Sequence, residues 1–226
     1  NDPSEGIVLP GTLVQVARRY QLLPMIDQWV VRKTLQLLAA HREILEARRI
    51  GISINLSGQS IGDEEFTREL GEALRAAHLP AGCITFEITE QAAVSSLARA
   101  DEMIRRLAPL NCRFALDDFG TGSNSLAYLN ALPIARVKID GTFVQDILSN
   151  SRSQATVRGI VELARGFSID TVAEFVESDA IAKRVRELGV DYAQGYAFGV
   201  PEPLETVLAG LHREASRQSP RLRLEA

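Results

Sequence analysis

The chain has 226 residues, 46% hydrophobic and 24% charged, with 25 basic against 29 acidic side chains for a net charge of −4. This is the mix of a soluble globular fold; it excludes disorder as the main state and lacks the basic excess with which proteins hold a nucleic acid polymer. Cys83 and Cys112 have no CxxC spacing, which excludes a disulfide scaffold and reads as two buried thiols in a reducing cytoplasm, and no run of apolar residues is long enough to span a membrane.

The chain opens Asn1-Asp2-Pro3-Ser4, without an initiator Met or a basic-then-apolar leader, which points to a piece of a longer protein. Ala17 to Ala47 reads as helix with a break near Pro24, its Trp29, Val30 and Leu35 to Leu38 forming outer-layer core. Ile50 to Asn55 reads as a strand. Asp63 to Ala77 is a helix with Asp63 as its N-cap. Cys83 to Glu87 is a strand and Leu97 to Leu107 a helix. Arg113 to Asp117 is a strand, followed by the loop Gly120-Thr121-Gly122-Ser123, which lacks the Gly-Lys-Ser/Thr ending of a P-loop. Ala135 to Ile139 is a strand, Gln154 to Gly166 a helix, Ile169 to Glu174 a strand and Asp179 to Leu188 a helix. Tyr192 to Gln194 is a short strand and Glu202 to His212 a last helix, with an Arg-rich tail from Ser216 to Ala226. His41, His78 and His212 match no catalytic spacing and read as surface or capping residues.

Strands alternating with helices predict parallel pairing through right-handed crossovers, in an open doubly wound sheet or a closed barrel. The strand ends favour the barrel. Asn55, Glu87, Asp117, Lys138, Glu174 and Gln194 end successive strands, at gaps of 32, 30, 21, 36 and 20 residues. A (β/α)8 barrel uses about 31 residues per unit and brings all its strand ends to one mouth. A single acid at a strand end is more often a cap or turn former. A ring of them repels unless a cation sits among them, and oxygen donors select hard divalent ions such as magnesium or manganese. The adjacent Asp117 and Asp118 can hold a pair of ions about 3.5–4 Å apart, the arrangement that clamps a phosphodiester. Lys138 either supplies a fixed positive charge for phosphate oxygens or salt-bridges to a neighbouring acid.

The runs Ser53-Ile54-Asn55-Leu56-Ser57, Phe86-Glu87-Ile88-Thr89-Glu90, Leu116 to Gly122 (Leu-Asp-Asp-Phe-Gly-Thr-Gly), Val137-Lys138-Ile139-Asp140, Val172-Ala173-Glu174-Phe175-Val176-Glu177 and Tyr192-Ala193-Gln194-Gly195-Tyr196 stand in this order. Together, over about Gly6 to Leu211, the chain resembles the EAL-domain family of bacterial cyclic di-GMP phosphodiesterases. The resemblance implies an α/β fold, a (β/α)8 TIM-type barrel with one antiparallel strand, over residues 1–215. It implies hydrolysis of cyclic di-GMP to linear pGpG with two magnesium or manganese ions. The implied metal ligands are Asn55, Glu87, Asp117, Asp118 and Glu174, with Asp117 bridging; Lys138 and Glu174 would position and deprotonate the attacking water. Asp140, Glu177 and Gln194 would support the site, and Glu90 would hold the loop Gly120 to Ser125, which in the family links the metal site to a homodimer interface. The family's usual aromatic residue and Ser are replaced here by Ser123 and Asn124. The Glu-Ala-Leu signature is absent from the chain and is expected upstream of Asn1 with the family's first strands. A sensory or GGDEF-type domain is expected alongside in the full-length protein, with this domain cytoplasmic whether or not the parent is anchored to a membrane. The alternative function is a non-catalytic cyclic di-GMP receptor.

Overall fold

The computed structural model describes residues 10–122 and 125–218. Three helices come first: α1 (Pro10–Arg19), α2 (Leu23–Ala39) and α3 (Arg42–Arg48). The helix expected over Ala17 to Ala47 is thus broken twice. Gln21 takes a left-handed φ of 58°, and Pro24 sits in the first turn of α2, where a missing N–H costs nothing. The second break falls at Ala40 and His41. The buried stripe of α2 is Leu23, Asp27, Val31, Leu35 and Leu38. Trp29 is not core as expected: it is 67% exposed, because it lies about 200° round the helix from both Asp27 and Val31.

Six strands follow, each trailed by helix: β1 (Ile52–Asn55) and α4 (Glu64–Ala77), β2 (Ile84–Thr89) with α5 (Glu90–Ser95) and α6 (Leu97–Leu107), β3 (Cys112–Phe119) and α7 (Ser125–Ala131), β4 (Arg136–Ile139) with α8 (Gly141–Gln145) and α9 (Ser151–Gly166), β5 (Asp170–Ala173) and α10 (Asp179–Glu187), β6 (Tyr192–Ala193) and α11 (Leu204–Gln218). Asp63 caps α4 as the sequence predicts, accepting from the Phe66 N–H at 2.9 Å. The short helices α5, α7 and α8, of 6, 7 and 5 residues, make too few turns to show a hydrophobic period. The last helix runs to Gln218, past the start of the expected tail at Ser216; residues 219–226 lie outside the described residues.

The strands lie side by side in chain order, β1 to β6, and all five pairings are parallel. Right-handed crossovers that always step to the next strand in one direction put every helix on one face of the sheet. A doubly wound sheet needs a reversal of strand order to cover both faces. The sheet is therefore an arc of a (β/α)8 barrel. The antiparallel strand that the resemblance implies is not found among the described residues.

Register divides the two faces. Ile54 pairs with Phe86, Phe86 with Phe114, and Leu116 with Val137. These side chains share one buried cluster with Val31, Leu70, Ile104, Val157 and Val185 of the helices. The other face carries Asn55 beside Glu87, and then Asp117, Lys138, Glu174 and Gln194 toward the same strand ends. Alternation along each strand thus sends the apolar residues out to the helices and the chemistry inward.

Candidate active site

Lys138 is the hub of the inner face. Its Nζ lies 2.8 Å from Glu87 Oε2, 2.8 Å from Glu174 Oε1 and 3.1 Å from Asp117 Oδ1, with only 4% of the residue exposed. Burial by itself would lower the lysine pKa. The hydrogen bonds to Glu174 and Glu87 and the charges of Glu87 and Asp117 outweigh it, so the pKa stands above its ordinary value and the ammonium stays charged. Of the two sequence-based readings of Lys138, the salt bridge to neighbouring acids is the one seen here.

Asp117 and Asp118 reach the mouth through a bulge. Leu116 pairs with Val137 and Phe119 with Ile139, so β3 takes three steps where β4 takes two. The extra residue lets two consecutive side chains serve one site, which a regular strand would send to opposite faces. Asp118 absorbs the distortion with a left-handed φ of 55°, and its N–H donates to Asp117 Oδ1 at 3.0 Å. Carboxylate oxygens of Asp117, Asp118 and Glu174 can all lie within 4.8 Å of one another. Burial, then the charges of Asp117 and Asp140, pushes the Asp118 carboxyl above its usual range against the pull of Lys138. Glu174 is likewise raised, first by burial; the hydrogen bond and charge of Lys138 oppose this, while Asp117 and Asp118 add to it. Four carboxylates thus face one ammonium.

The remaining sequence-predicted residues take distinct places. Gln194 donates from Nε2 to Glu174 Oε1 at 2.9 Å and fixes that carboxylate. Asn55 stands exposed at the rim, beside Glu87 in register, and Glu87 itself is engaged by Lys138; neither belongs to the three-carboxylate group. Buried Glu90 accepts from the Gly120 N–H at 3.0 Å, tying α5 to the loop after β3, while Ser123 and Asn124 lie outside the described residues. Asp140 caps α8, accepting from the Thr142 N–H at 2.8 Å. Glu177 lines a cavity of about 650 Å³ beside the carboxylates, together with Gln194, Phe175, Tyr196, Phe198 and Val200.

Three aromatic side chains to which the sequence assigned no role also belong here. Phe175, Tyr196 and Phe198 line this cavity and are 52%, 66% and 59% exposed. Phe175 follows Glu174 directly in a left-handed φ of 53°, and its ring packs on Gly141, where any Cβ would collide with it. A bulky residue held at positive φ beside a reactive cluster was the available signal, but φ is invisible in sequence. The sequence assigned no role to Asp27 either. Buried in α2, it accepts from the Ser57 N–H at 2.8 Å and the Ser60 hydroxyl at 2.6 Å, pinning the segment that follows Asn55.

A hard divalent cation fits this donor set: the three grouped residues offer only carboxylate oxygen, and their mutual repulsion is only partly relieved by Lys138. The model of the EAL domain matches residues 1–201. This chain belongs to the EAL domain family. Cyclic di-GMP phosphodiesterase PdeB of Shewanella oneidensis is 41% identical to it over 203 residues, 90% of this chain and 24% of that protein. Cyclic di-GMP phosphodiesterase PdeF of Escherichia coli is 37% identical over 201 residues, 89% of this chain and 27% of that protein. The chain thus spans about a quarter of the length of these two relatives. Among solved structures, the FimX EAL domain from Pseudomonas aeruginosa bound to c-di-GMP matches with a TM-score of 0.81 at 31% identity, covering 89% of this EAL chain and 80% of that one.

Proposed function

We propose that this EAL chain is the phosphodiesterase unit of a larger protein and opens cyclic di-GMP to linear pGpG. The observation that carries the reading is the convergence of Asp117, Asp118 and Glu174 around a charged Lys138 at the strand mouth. The names of the two curated relatives and of the FimX complex support the substrate.

Asp117, Asp118 and Glu174, with Asn55 and Glu87 from the neighbouring strand ends, would hold two magnesium or manganese ions. Bound there, such ions polarise the phosphoryl oxygens and acidify a bound water. The chain's own residues do the rest. Lys138 keeps one positive charge aimed at the mouth, where it orients the attacking water and offsets charge developing on phosphorus-bound oxygen. Glu174 would take a proton from that water as the P–O3′ bond breaks, and the departing O3′ picks up a proton from solvent. Gln194 holds Glu174 in place for that transfer. Phe175, Tyr196 and Phe198 offer flat apolar faces against which a guanine base can lie, with the Glu177 carboxylate to accept its N–H groups. Glu90 ties the Gly120 loop to α5, and Asp140 caps α8 directly after β4. A homodimer coupled through that loop, accompanying sensory or GGDEF-type domains and a cytoplasmic location complete the proposal.

The test is hydrolysis of cyclic di-GMP by the full-length protein with magnesium or manganese, followed by chromatography of the products. Formation of pGpG that D117N and E174Q abolish supports the reading. Tight nucleotide binding without pGpG, in the presence of either metal, refutes it in favour of a receptor.

A further inference from the structure

Only three histidines occur in the chain, and two of them meet. His41 occupies the N-cap position of α3, in the turn after α2, and His212 lies in α11, 171 residues later. His41 Nδ1 and His212 Nε2 are 2.8 Å apart, with ring centroids 4.9 Å apart and the ring planes at 52°. In a barrel the helices run from the mouth back to the opposite end, so the C-terminus of α2 and the later turns of α11 belong to that far end. The pair is thus remote from the carboxylates. It also joins what the sheet does not: β1 and β6 are the two edges of the strand order, yet the helices before β1 and after β6 touch here.

Two imidazoles in this contact share one proton between two ring nitrogens, each with an in-plane lone pair. A divalent ion can take the place of that proton, which the donor ring regains on its other nitrogen by exchange through solvent, so that both rings bind as neutral imidazoles. Tetrahedral coordination with N–metal bonds of about 2.0–2.1 Å places the two nitrogens about 3.3 Å apart, so the rings need to separate by about half an ångström and to tilt until both lone pairs converge on the ion. His41 is half-buried and His212 exposed, which leaves room for that movement and for water in the remaining coordination positions. Imidazole nitrogen favours zinc, copper and nickel, whereas the all-oxygen cluster at the mouth favours magnesium and manganese. The two sites therefore differ in chemistry as well as in place.

We propose that His41 and His212 form a second metal site, selective for imidazole-preferring divalent transition ions, that staples α11 to the α2–α3 turn. An ion that binds only the folded chain stabilises it, and at about a hundredfold excess over its Kd the melting temperature should rise by roughly 5–10 °C. The experiment uses tag-free protein with millimolar Mg2+ present to occupy oxygen sites. One equivalent of Cu2+ should give an electron paramagnetic resonance spectrum split by two nitrogens, and Zn2+ should raise the melting temperature. H41Q and H212Q should each lose both effects, while H78Q keeps them. If either variant fails to fold, the other supplies the comparison. A copper spectrum with fewer than two nitrogens in the unmodified protein overturns the proposal, as does a two-nitrogen spectrum that survives H41Q or H212Q.

Discussion

Replacing Lys138 with Met keeps the length of the side chain and removes its charge. In the native chain the ammonium lies 2.8, 3.1 and 2.8 Å from three carboxylates, with the lysine, Glu87 and Glu174 side chains 5%, 7% and 9% exposed. At an effective dielectric constant of about 20, each such contact has a gross Coulomb energy of about 5–6 kcal/mol, much of it offset by desolvation. Removing one partner of a buried ion pair costs about 3–5 kcal/mol, because the charges left behind have neither water nor a counter-ion. For a domain of this size each kcal/mol is worth about 2–4 °C, so metal-free K138M should melt about 6–20 °C below the unmodified chain at pH 7. The sign of the pH dependence follows. Glu174 and Asp118 are already raised by burial against the pull of Lys138, so losing the ammonium lifts these two carboxyls further above their unfolded values of about 4 and penalises them only once ionised. The deficit should therefore be small near pH 4 and grow as pH rises through the raised folded-state values. Added Mn2+ should recover more stability in K138M than in the parent, since a cation then replaces the lost charge. Melting followed by circular dichroism between pH 4 and 8, with and without Mn2+, reads all three effects. A K138M protein that melts within about 2 °C of the parent at every pH would refute the counter-ion role.

Gln194→Leu removes the donor that fixes Glu174; turnover of cyclic di-GMP should fall about 10–100-fold, the worth of a hydrogen bond to a charged group, with the melting curve little changed. Asp27→Ala leaves the Ser57 N–H and the Ser60 hydroxyl without their acceptor and should cost about 1–3 kcal/mol by urea denaturation, whereas Asp27→Asn, which retains an acceptor oxygen, should cost less. Equal losses would place the effect elsewhere. Glu90→Ala should speed amide exchange at Gly120 and neighbouring loop positions while leaving the β1 and β2 amides protected; unchanged exchange would show that the loop does not depend on this carboxylate. Gly195→Ala should yield insoluble or strongly destabilised protein, because the position has a φ of 152° and a Cβ there would meet the Val176 backbone; a soluble variant with the parent's melting temperature would contradict that packing.

The elements written in local chemistry were legible in the sequence. The Asp63 cap and the runs around β1 to β6 depend on neighbours a few residues away, and the polar residues at successive strand ends, 20 to 36 residues apart, pointed to a barrel mouth. Trp29 went the other way: the apolar pattern placed it inside, but the buried stripe of α2 runs through Asp27, whose partners Ser57 and Ser60 lie 30 and 33 residues away. A polar residue is worth burying only where such partners exist, and that pairing is decided in three dimensions. The same holds for the site. Sequence alone determined which residues could carry the chemistry, because a strand delivers its C-terminal residue to a predictable face. Only the tertiary structure decided that Asp117 and Asp118 both reach it, through one extra residue and a left-handed turn, and that Lys138 lies between Glu87 and Glu174. Backbone distortion and long-range contact are collective properties of packed strands, and the identity of a single residue does not encode them.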